Sequence, residues 1–331
     1  MTVAAVVIGR NEGERLVRCL ESVVPRVTAV VYVDSGSSDS SVAEARSRGV
    51  HAIELRDPPY TAARGRDEGV RFLMTVSPAH EYILFIDGDC VLDPGFIPAA
   101  HAVLDDEPRV GAVCGRRRES RTRDSFWSRL IDIDWDIPPG KVPYFGGDSL
   151  VRLAALTDAG GWSVELIAGE EPDLCFRMAD KGWVIHRLPC EMTRHDIAMS
   201  RFRSYWKRGV RSGHAYIEVA LRRRRGAGRA WLRRSLTILA YGLALPLLAL
   251  VGAFLHWLIP AGIAILYLRL AASMAYSCRL KGRSWSLSIA YALLNTIGKV
   301  AGAWGISRFL FLRLLGRRSR LIEYKGLGVR A

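Results

Sequence analysis

The first ninety residues alternate between short apolar runs and stretches with helical spacing. TVAAVVIG (2–9) is continuously apolar, the pattern of a parallel strand covered on both faces. In NEGERLVRCLESVV the apolar positions Leu16, Cys19, Leu20 and Val23 fall at helical spacing. AVVYVDSGSSDSS reads as a second strand running into a turn-rich acidic loop. Ser38 or Asp39 is placed there to cap the helix SVAEARSRG, which Gly49 closes. HAIEL is a third short strand, TAARGRDEGVRFLMTV a helix, and EYILFIDGDC a fourth strand. Alternating strands and helices predict an α/β fold, a mainly parallel sheet wound by helices. Ligands bind such sheets at the carboxyl ends of the strands, which puts Asp34, Asp87 and Asp89 along one edge.

From 110 to 200 the pattern is less regular. GRRRESRTRDSFWSRLIDIDWDIPPGKVPYFGGDS reads as a loop and helix insert, and GWSVELIAGEEPDLCFRMADKGWVIHRLP as a loop, a helix and a strand. After Met199 the character changes. Leu236 to Trp257 is 22 residues without a charge, and a membrane-crossing helix needs about 20. Pro260 is expected to interrupt, and a second apolar run follows from Ala261 to Cys278 with Arg269 inside it. A third segment, Leu287 to Leu315, carries Asn295, Lys299, Arg308 and Arg313 and is expected to lie as an interfacial amphipathic helix rather than as a span. The expected organisation is a catalytic domain over 1–200, a basic amphipathic juxtamembrane segment over 201–235, a transmembrane hairpin over 236–278, and an interfacial helix with a basic tail over 279–331.

Charge sharpens the division. The chain carries a net +14, but residues 201–331 hold 24 Lys/Arg against two acids, Glu218 and Glu323, while the first 200 hold 23 against 31. Twelve basic residues lie between 201 and 234, including Arg222 to Arg225, interleaved with Phe202, Tyr205, Trp206, Tyr216 and Trp231. Further basic residues, Arg279, Lys281 and Arg283, follow the second apolar run, and Arg317, Arg318 and Arg320 follow the third. The excess of positive charge puts both ends of the hairpin in the cytosol, with anionic membrane lipids as partners. Basic patches beside long uncharged runs suit lipid phosphates and argue against a nucleic-acid binder. The six cysteines form no CxxC pair and read as free thiols of a reducing compartment. MTVAAVVIGRNE lacks a basic lead, so no signal peptide is expected. These features predict a cytoplasmic catalytic part held at a membrane. Oligomeric state stays open.

Three acidic motifs carry candidate chemistry. Asp87, Gly88 and Asp89 put two hard carboxylates on one short turn, suited to Mg2+ or Mn2+ that also holds substrate phosphates, and equally to an Asp-Gly turn between strands. Asp34 ends a strand where it could accept from a base or ribose. GEEPDLCFR puts Glu170, Glu171 and Asp173 at the start of a helix, either to complement its dipole or to supply a general base.

Taken in order, VVIGRNEGERLVRCLESV, VYVDSGSSDSS, AARGRDEG, LFIDGDCVLDPGFI, FGGDSLVRLAALTDAGGW and GEEPDLCFRMADKGW resemble family 2 glycosyltransferases across roughly residues 3–190. The resemblance implies a GT-A fold, a nucleotide-diphosphate sugar donor (UDP expected), a divalent metal and inversion at the anomeric centre. It implies that Asp34 contacts the nucleotide base and that Arg10 and Glu12 border the nucleotide. Arg66 falls beside the donor in an ARNxG-like segment whose usual Asn is here Asp67. Asp87, Gly88 and Asp89 match the DxD motif, with Asp89 the direct metal ligand. Gly146, Gly147 and Asp148 match the acceptor-side segment. Glu171 stands where the family has the Asp of its Glu-Asp pair, the base, with Glu170 and Asp173 as rivals. His195 is a candidate third metal ligand or diphosphate contact, and Trp206 lies in an aromatic and basic segment that reaches over the donor in some members. The acceptor is expected to be lipid-linked or a saccharide. A polyprenyl-phosphate sugar synthase and an inactive GT-A scaffold are the alternatives.

Overall fold

The computed structural model describes residues 2–76, 79–123, 125–223, 227–317 and 319. Of the basic clusters, Arg224, Arg225, Arg318 and Arg320 lie outside the described residues, as does Glu323. The chain forms two compact units, one over residues 1–198 and one beginning at Met199.

The first unit is built on one curled mixed sheet. Its parallel part comprises β1 (Val3–Gly9), β2 (Ala29–Asp34), β3 (His51–Glu54) and β4 (Tyr82–Asp87), with β1 between β2 and β4. β1 is buried from Val3 to Ile8 and β4 from Tyr82 to Ile86, as continuous apolar runs require when helices cover both faces. Helices α1 (Glu14–Val23), α2 (Ser41–Ser47) and α3 (Ala62–Val76) make the crossovers. In α3, Gly69 lets the helix close on β1, for a Cβ there would lie 2.4 Å from Val6 Cγ1. After a short β5 (Cys90–Leu92) and α4 (Phe96–Asp106), β6 (Val110–Glu119) and β8 (Ser149–Arg152) extend the sheet beyond β4, and β8 runs antiparallel to both neighbours. The small helices α5 (Phe126–Asp134) and α6 (Leu153–Asp158), the two-residue β7 (Gly140–Lys141) and helix α7 (Glu170–Asp180) complete it, with β9 (Val184–His195) pairing β6, β5 and β7.

Register sets the site. Gly9 pairs with Asp34 and Ile8 with Asp87, so β1, β2 and β4 end level and present both acids at one carboxyl edge. The turn Gly88–Asp89 then leads directly into β5, so DGD is a tight turn between strands as well as a pair of carboxylates. The largest departure from the sequence reading is GRRRE. It is not a loop but the end of β6, with Arg117 and Glu119 buried, Arg118 exposed and Arg116 partly covered, a strict two-residue period.

The second unit is helical: α8 (Phe202–Arg222), α9 (Ala227–Leu239), α10 (Leu245–Ala253), α11 (Leu258–Leu280) and α12 (Trp285–Leu314). Between α9 and α10 the helix widens to a π turn over Ala240–Ala244. Pro246 supplies the reason: it has no N–H for the Gly242 carbonyl and its ring crowds that oxygen. Pro260 does not end the first run. The break falls at 254–257, and Pro260 sits in the first turn of α11, where its missing N–H is no loss. Gly228–Ala253 and Leu258–Leu280 are long and apolar enough to cross a membrane. Within this unit α8 and α12 meet backbone to backbone. A Cβ on Gly213 would lie 2.1 Å from Gly302 O, and one on Gly305 would lie 2.1 Å from Val210 O. On its other side α12 exposes Ile289, Leu293, Ile297, Val300 and Trp304 at spacings of three and four.

These contacts predict that Gly213→Ala or Gly305→Ala forces the two helices apart. The overpacking should cost about 1–3 kcal/mol, more than the helix propensity that alanine returns. Thermal unfolding of the full chain in detergent should show a lowered midpoint for each variant; an unchanged midpoint would contradict the close crossing.

Candidate active site

The end of β4 holds a buried set of opposed charges. Asp87 Oδ1 accepts from Arg66 Nη2 at 3.0 Å and its Oδ2 from Arg117 Nη2 at 3.2 Å. Arg66, on α3, donates its other arm to Glu170 Oε1 at 3.1 Å. Arg117, on β6, spans Asp148, with Nη2 2.6 Å from Oδ1 and Nε 2.9 Å from Oδ2. Asp148 also accepts from Thr193 Oγ1 at 2.7 Å and from the Asp87 amide at 3.1 Å. Each guanidinium lies 5.0 Å from an indole, Arg66 over Trp162 and Arg117 over Trp135. Both arginines are buried, and burial is tolerable because every charge named here has an opposite within hydrogen-bonding distance.

Asp89 belongs to a second cluster. Its Oδ2 lies 3.3 Å from His195 Nε2, and His195 Nδ1 lies 2.6 Å from Glu119 Oε1. Glu119 is itself held by Trp135 Nε1 at 3.1 Å and the Ile197 amide at 3.2 Å. Burial alone would lower the His195 pKa, but Asp89 and Glu119 outweigh it and hold it at about 9. Asp89, Cys90 and His195 bring ligand-type atoms within 4.8 Å of one another. Burial pushes the Cys90 thiol well up, so it stays protonated and is a poor ligand. Held at about 9, His195 carries a proton on both ring nitrogens near neutral pH, so it would join Asp89 around Mn2+ or Mg2+ only by giving up its Nε2 proton to the entering cation, with Glu119 keeping the ring oriented through Nδ1. Asp87, expected as a ligand from the sequence, has both oxygens on arginines.

The three acids of α7 part company. Gly169 caps the helix in a left-handed conformation at φ 82°. Glu170 turns to Arg66. Glu171 Oε1 accepts from the amides of Phe145 at 2.7 Å and Gly146 at 2.9 Å, with the Cys175 thiol 3.3 Å away. Its Oε2 carries no hydrogen bond among the described residues. Burial raises the Glu171 pKa, with the Gly146 amide, the Cys175 thiol and the Phe145 amide offsetting part of the rise. Asp173 instead takes Ser163 Oγ at 2.7 Å and Arg177 Nε at 3.0 Å, bonds that secure the loop before the helix. Gly146 and Gly147 both have positive φ, 89° and 106°. A Cβ on Gly147 would lie 3.2 Å from Arg117 Nη2, so the loop passes against the arginine that grips Asp148.

Along the same edge, Asp34 accepts from Tyr32 OH at 2.8 Å, Ser37 N at 2.7 Å and Ser37 Oγ at 2.5 Å, which shapes the DSGSSDS loop. The N-cap of α2 is Ser40, neither Ser38 nor Asp39, although Asp39 accepts from Ser41 N at 3.0 Å. Arg10 lies 5.5 Å from the Tyr60 ring, and Glu12 is buried with its Cγ 3.4 Å from where a Cβ on Gly88 would sit. Asp67 pairs with Arg71 at 2.8 Å on the flank of α3. Trp206 belongs to the second unit, on α8, its ring 6.1 Å from Phe202. Sequence reasoning missed Arg117, Glu119, Trp135 and Thr193. The signal was there for two of them: a two-residue period through RRRE puts Arg117 and Glu119 on one face.

The glycosyl transferase family 2 profile matches residues 4–159, and that of glycosyl transferase family group 2 matches residues 82–295. Among solved structures, a mannosyltransferase from Pyrobaculum calidifontis in complex with GDP-Man and Mn2+ is 18% identical. It covers 91% of this chain and 87% of its own, with a TM-score of 0.57. S. aureus TarS is 14% identical over 67% of this chain and only 39% of its own, at a TM-score of 0.48. Glucosyl-3-phosphoglycerate synthase from Mycobacterium tuberculosis with Mn2+ and UDP-Glc is 18% identical over 60% of this chain and 72% of its own, at 0.43.

Arg117→Met is predicted to leave Asp148 buried without its counter-charge and Asp87 with one arginine instead of two. The loss should be about 3–5 kcal/mol, read as a drop in the urea midpoint. A change under about 1 kcal/mol, the scale of an exposed ion pair, would contradict the pairing.

Proposed function

This chain belongs to glycosyl transferase family 2 and is a glycosyltransferase, and we propose that it moves a sugar from a nucleotide-diphosphate sugar to a lipid-linked or saccharide acceptor, with inversion, at a membrane surface. The observation that carries the reading is the Glu171 carboxylate, buried, fixed through one oxygen to the Phe145–Gly146 amides and leaving the other for an incoming hydroxyl. The Asp34 loop and the neighbouring Arg10 and Glu12 would border the nucleotide, with UDP the expected base. Asp89 and His195 would hold Mg2+ or Mn2+. The cation, when bound, neutralises charge on the leaving diphosphate.

Glu171 Oε2 takes the acceptor proton as the acceptor oxygen bonds to the anomeric carbon, while the bond from that carbon to the diphosphate breaks and its electron pair leaves with the diphosphate. A single displacement inverts the centre. A base must be deprotonated, and the burial that raises the Glu171 pKa also raises its proton affinity. Glu170 holds Arg66 against Asp87, and Asp173 holds the loop before α7. Both are assigned positioning roles. Gly146, Gly147 and Asp148 border the acceptor.

Membrane association rests on the two long apolar helices and the exposed apolar stripe of α12. The basic residues that flank the helices in sequence support a bacterial inner-membrane location with a cytoplasmic active site and contact with anionic lipid.

Glu171→Gln is expected to lower kcat about 10²–10⁴-fold with nucleotide affinity unchanged, measured by transfer from a panel of UDP-, GDP- and dTDP-sugars. The base is lost as pH falls, so the acid limb of the wild-type rate should lie above the ordinary glutamate value of 4.5. Full turnover by Glu171→Gln, with turnover abolished in Glu170→Gln, would transfer the role to Glu170.

A further inference from the structure

Of the three buried arginines among the described residues, one is left without a counter-charge. Arg187, on β9, is 4% exposed. Its Nη1 donates to the Gly115 carbonyl at 2.8 Å, its Nε has no hydrogen-bond partner, and its Nη2 makes no hydrogen bond among the described residues. No carboxylate among the described residues lies within 4 Å of it. Arg66 and Arg117, buried to the same degree, each bridge two acids. A guanidinium taken out of water without an anion is costly, and native structures rarely keep one unless something fills the place.

The free side of Arg187 faces the acceptor loop. A Cβ on Gly146 would lie 4.0 Å from Arg187 Nη2. Gly146 donates its amide to Glu171, so the unpaired guanidinium and the assigned base flank the same glycine. Across the strand pair, Gly140 sits in register with Arg187, and a Cβ on Gly140 would meet nothing within 4 Å. The guanidinium itself is shielded from solvent and lies beside the acceptor loop.

We propose that Arg187 is an anion-binding residue on the acceptor side, receiving an oxyanion, a phosphate of the acceptor, through Nε and Nη2. These two N–H groups form the side of the guanidinium fork that matches a phosphate. The inference deepens the proposed function, resting on Gly146 and Gly147 as the acceptor segment. It makes the acceptor a phosphate-bearing molecule that also carries the hydroxyl Glu171 deprotonates, either lipid-borne or a soluble phosphate ester.

The test omits nucleotide, metal and turnover, so that it stands apart from the assignment of the base and the donor. Farnesyl phosphate, inorganic phosphate and uncharged farnesol are titrated into the full-length protein in detergent, as wild type, Arg187→Met and Arg187→Lys. Wild type should bind farnesyl phosphate at least tenfold more tightly than farnesol. Arg187→Met should lose at least tenfold of the phosphate affinity, with Arg187→Lys in between. Without ligand, Arg187→Met should melt higher than wild type, because an uncompensated charge has been removed; a purely structural arginine would give a lower midpoint. Farnesyl phosphate tighter than inorganic phosphate would identify a lipid-borne group, and equal affinities a soluble ester. Equal binding of farnesol and farnesyl phosphate, or equal phosphate affinity in wild type and both variants, would overturn the inference. If wild type binds donor nucleotide but no phosphate probe, this inference alone fails and the transferase reading stands. Should Arg187→Met not fold, an Arg187→Lys variant with unchanged phosphate affinity would overturn it equally.

Discussion

The catalytic unit depends on a requirement that buried charges be matched. Asp87 terminates a strand whose apolar residues fill the core and is itself partly covered, while the arginines that meet it are buried and need its charge. Arg66 from α3 and Arg117 from β6 meet it, and Glu170 from α7 and Asp148 beside β8 meet those arginines in turn. Four separate elements are thereby tied to the end of β4. Geometry at the sheet edge follows from this pairing, because no member can move without uncovering a partner's charge.

The same network separates acids that look equivalent in sequence. Asp87 has both oxygens on arginines, whereas Asp89, two residues on, pairs with His195 and would take up a cation only as that imidazole gives up its Nε2 proton. Within α7, Glu170 Oε1 takes the Arg66 guanidinium, Asp173 Oδ2 takes Ser163 and Arg177, and Glu171 Oε1 takes two backbone amides and, among the described residues, no cation. Three carboxylates in four residues thus fall into three electrostatic settings, and at Glu171, with no cation beside it, burial raises the proton affinity.

Much of this was legible beforehand. The continuous apolar strands and the helical spacings between them located β1 to β4, and the level ends of those strands brought Asp34 and Asp87 together. GRRRE misled because a run of charge ordinarily marks solvent. Here the arginine is buried only because acids from distant segments pair with it, a tertiary fact that local pattern does not carry. The roles of Glu170 and Glu171 depend likewise on Arg66 and Phe145, outside the local pattern, and that of Asp173 on Ser163 in the preceding loop. In the helical unit the apolar runs were plain, but their limits were not. Pro260 was read as a break and proved a helix start, while Pro246, inside the longer run, produced the π turn.

The central claim is that Asp89 and His195, oriented by Glu119, complete a metal-dependent nucleotide site at the end of β4. The most direct measurement is nucleotide binding by the full-length protein in detergent, using UDP, GDP, dTDP and CDP with and without Mn2+, for wild type and Asp89→Asn. The account predicts binding of one nucleotide that requires the cation and is lost in the variant. Metal-independent binding of equal strength in both proteins, each shown to be folded, would contradict it.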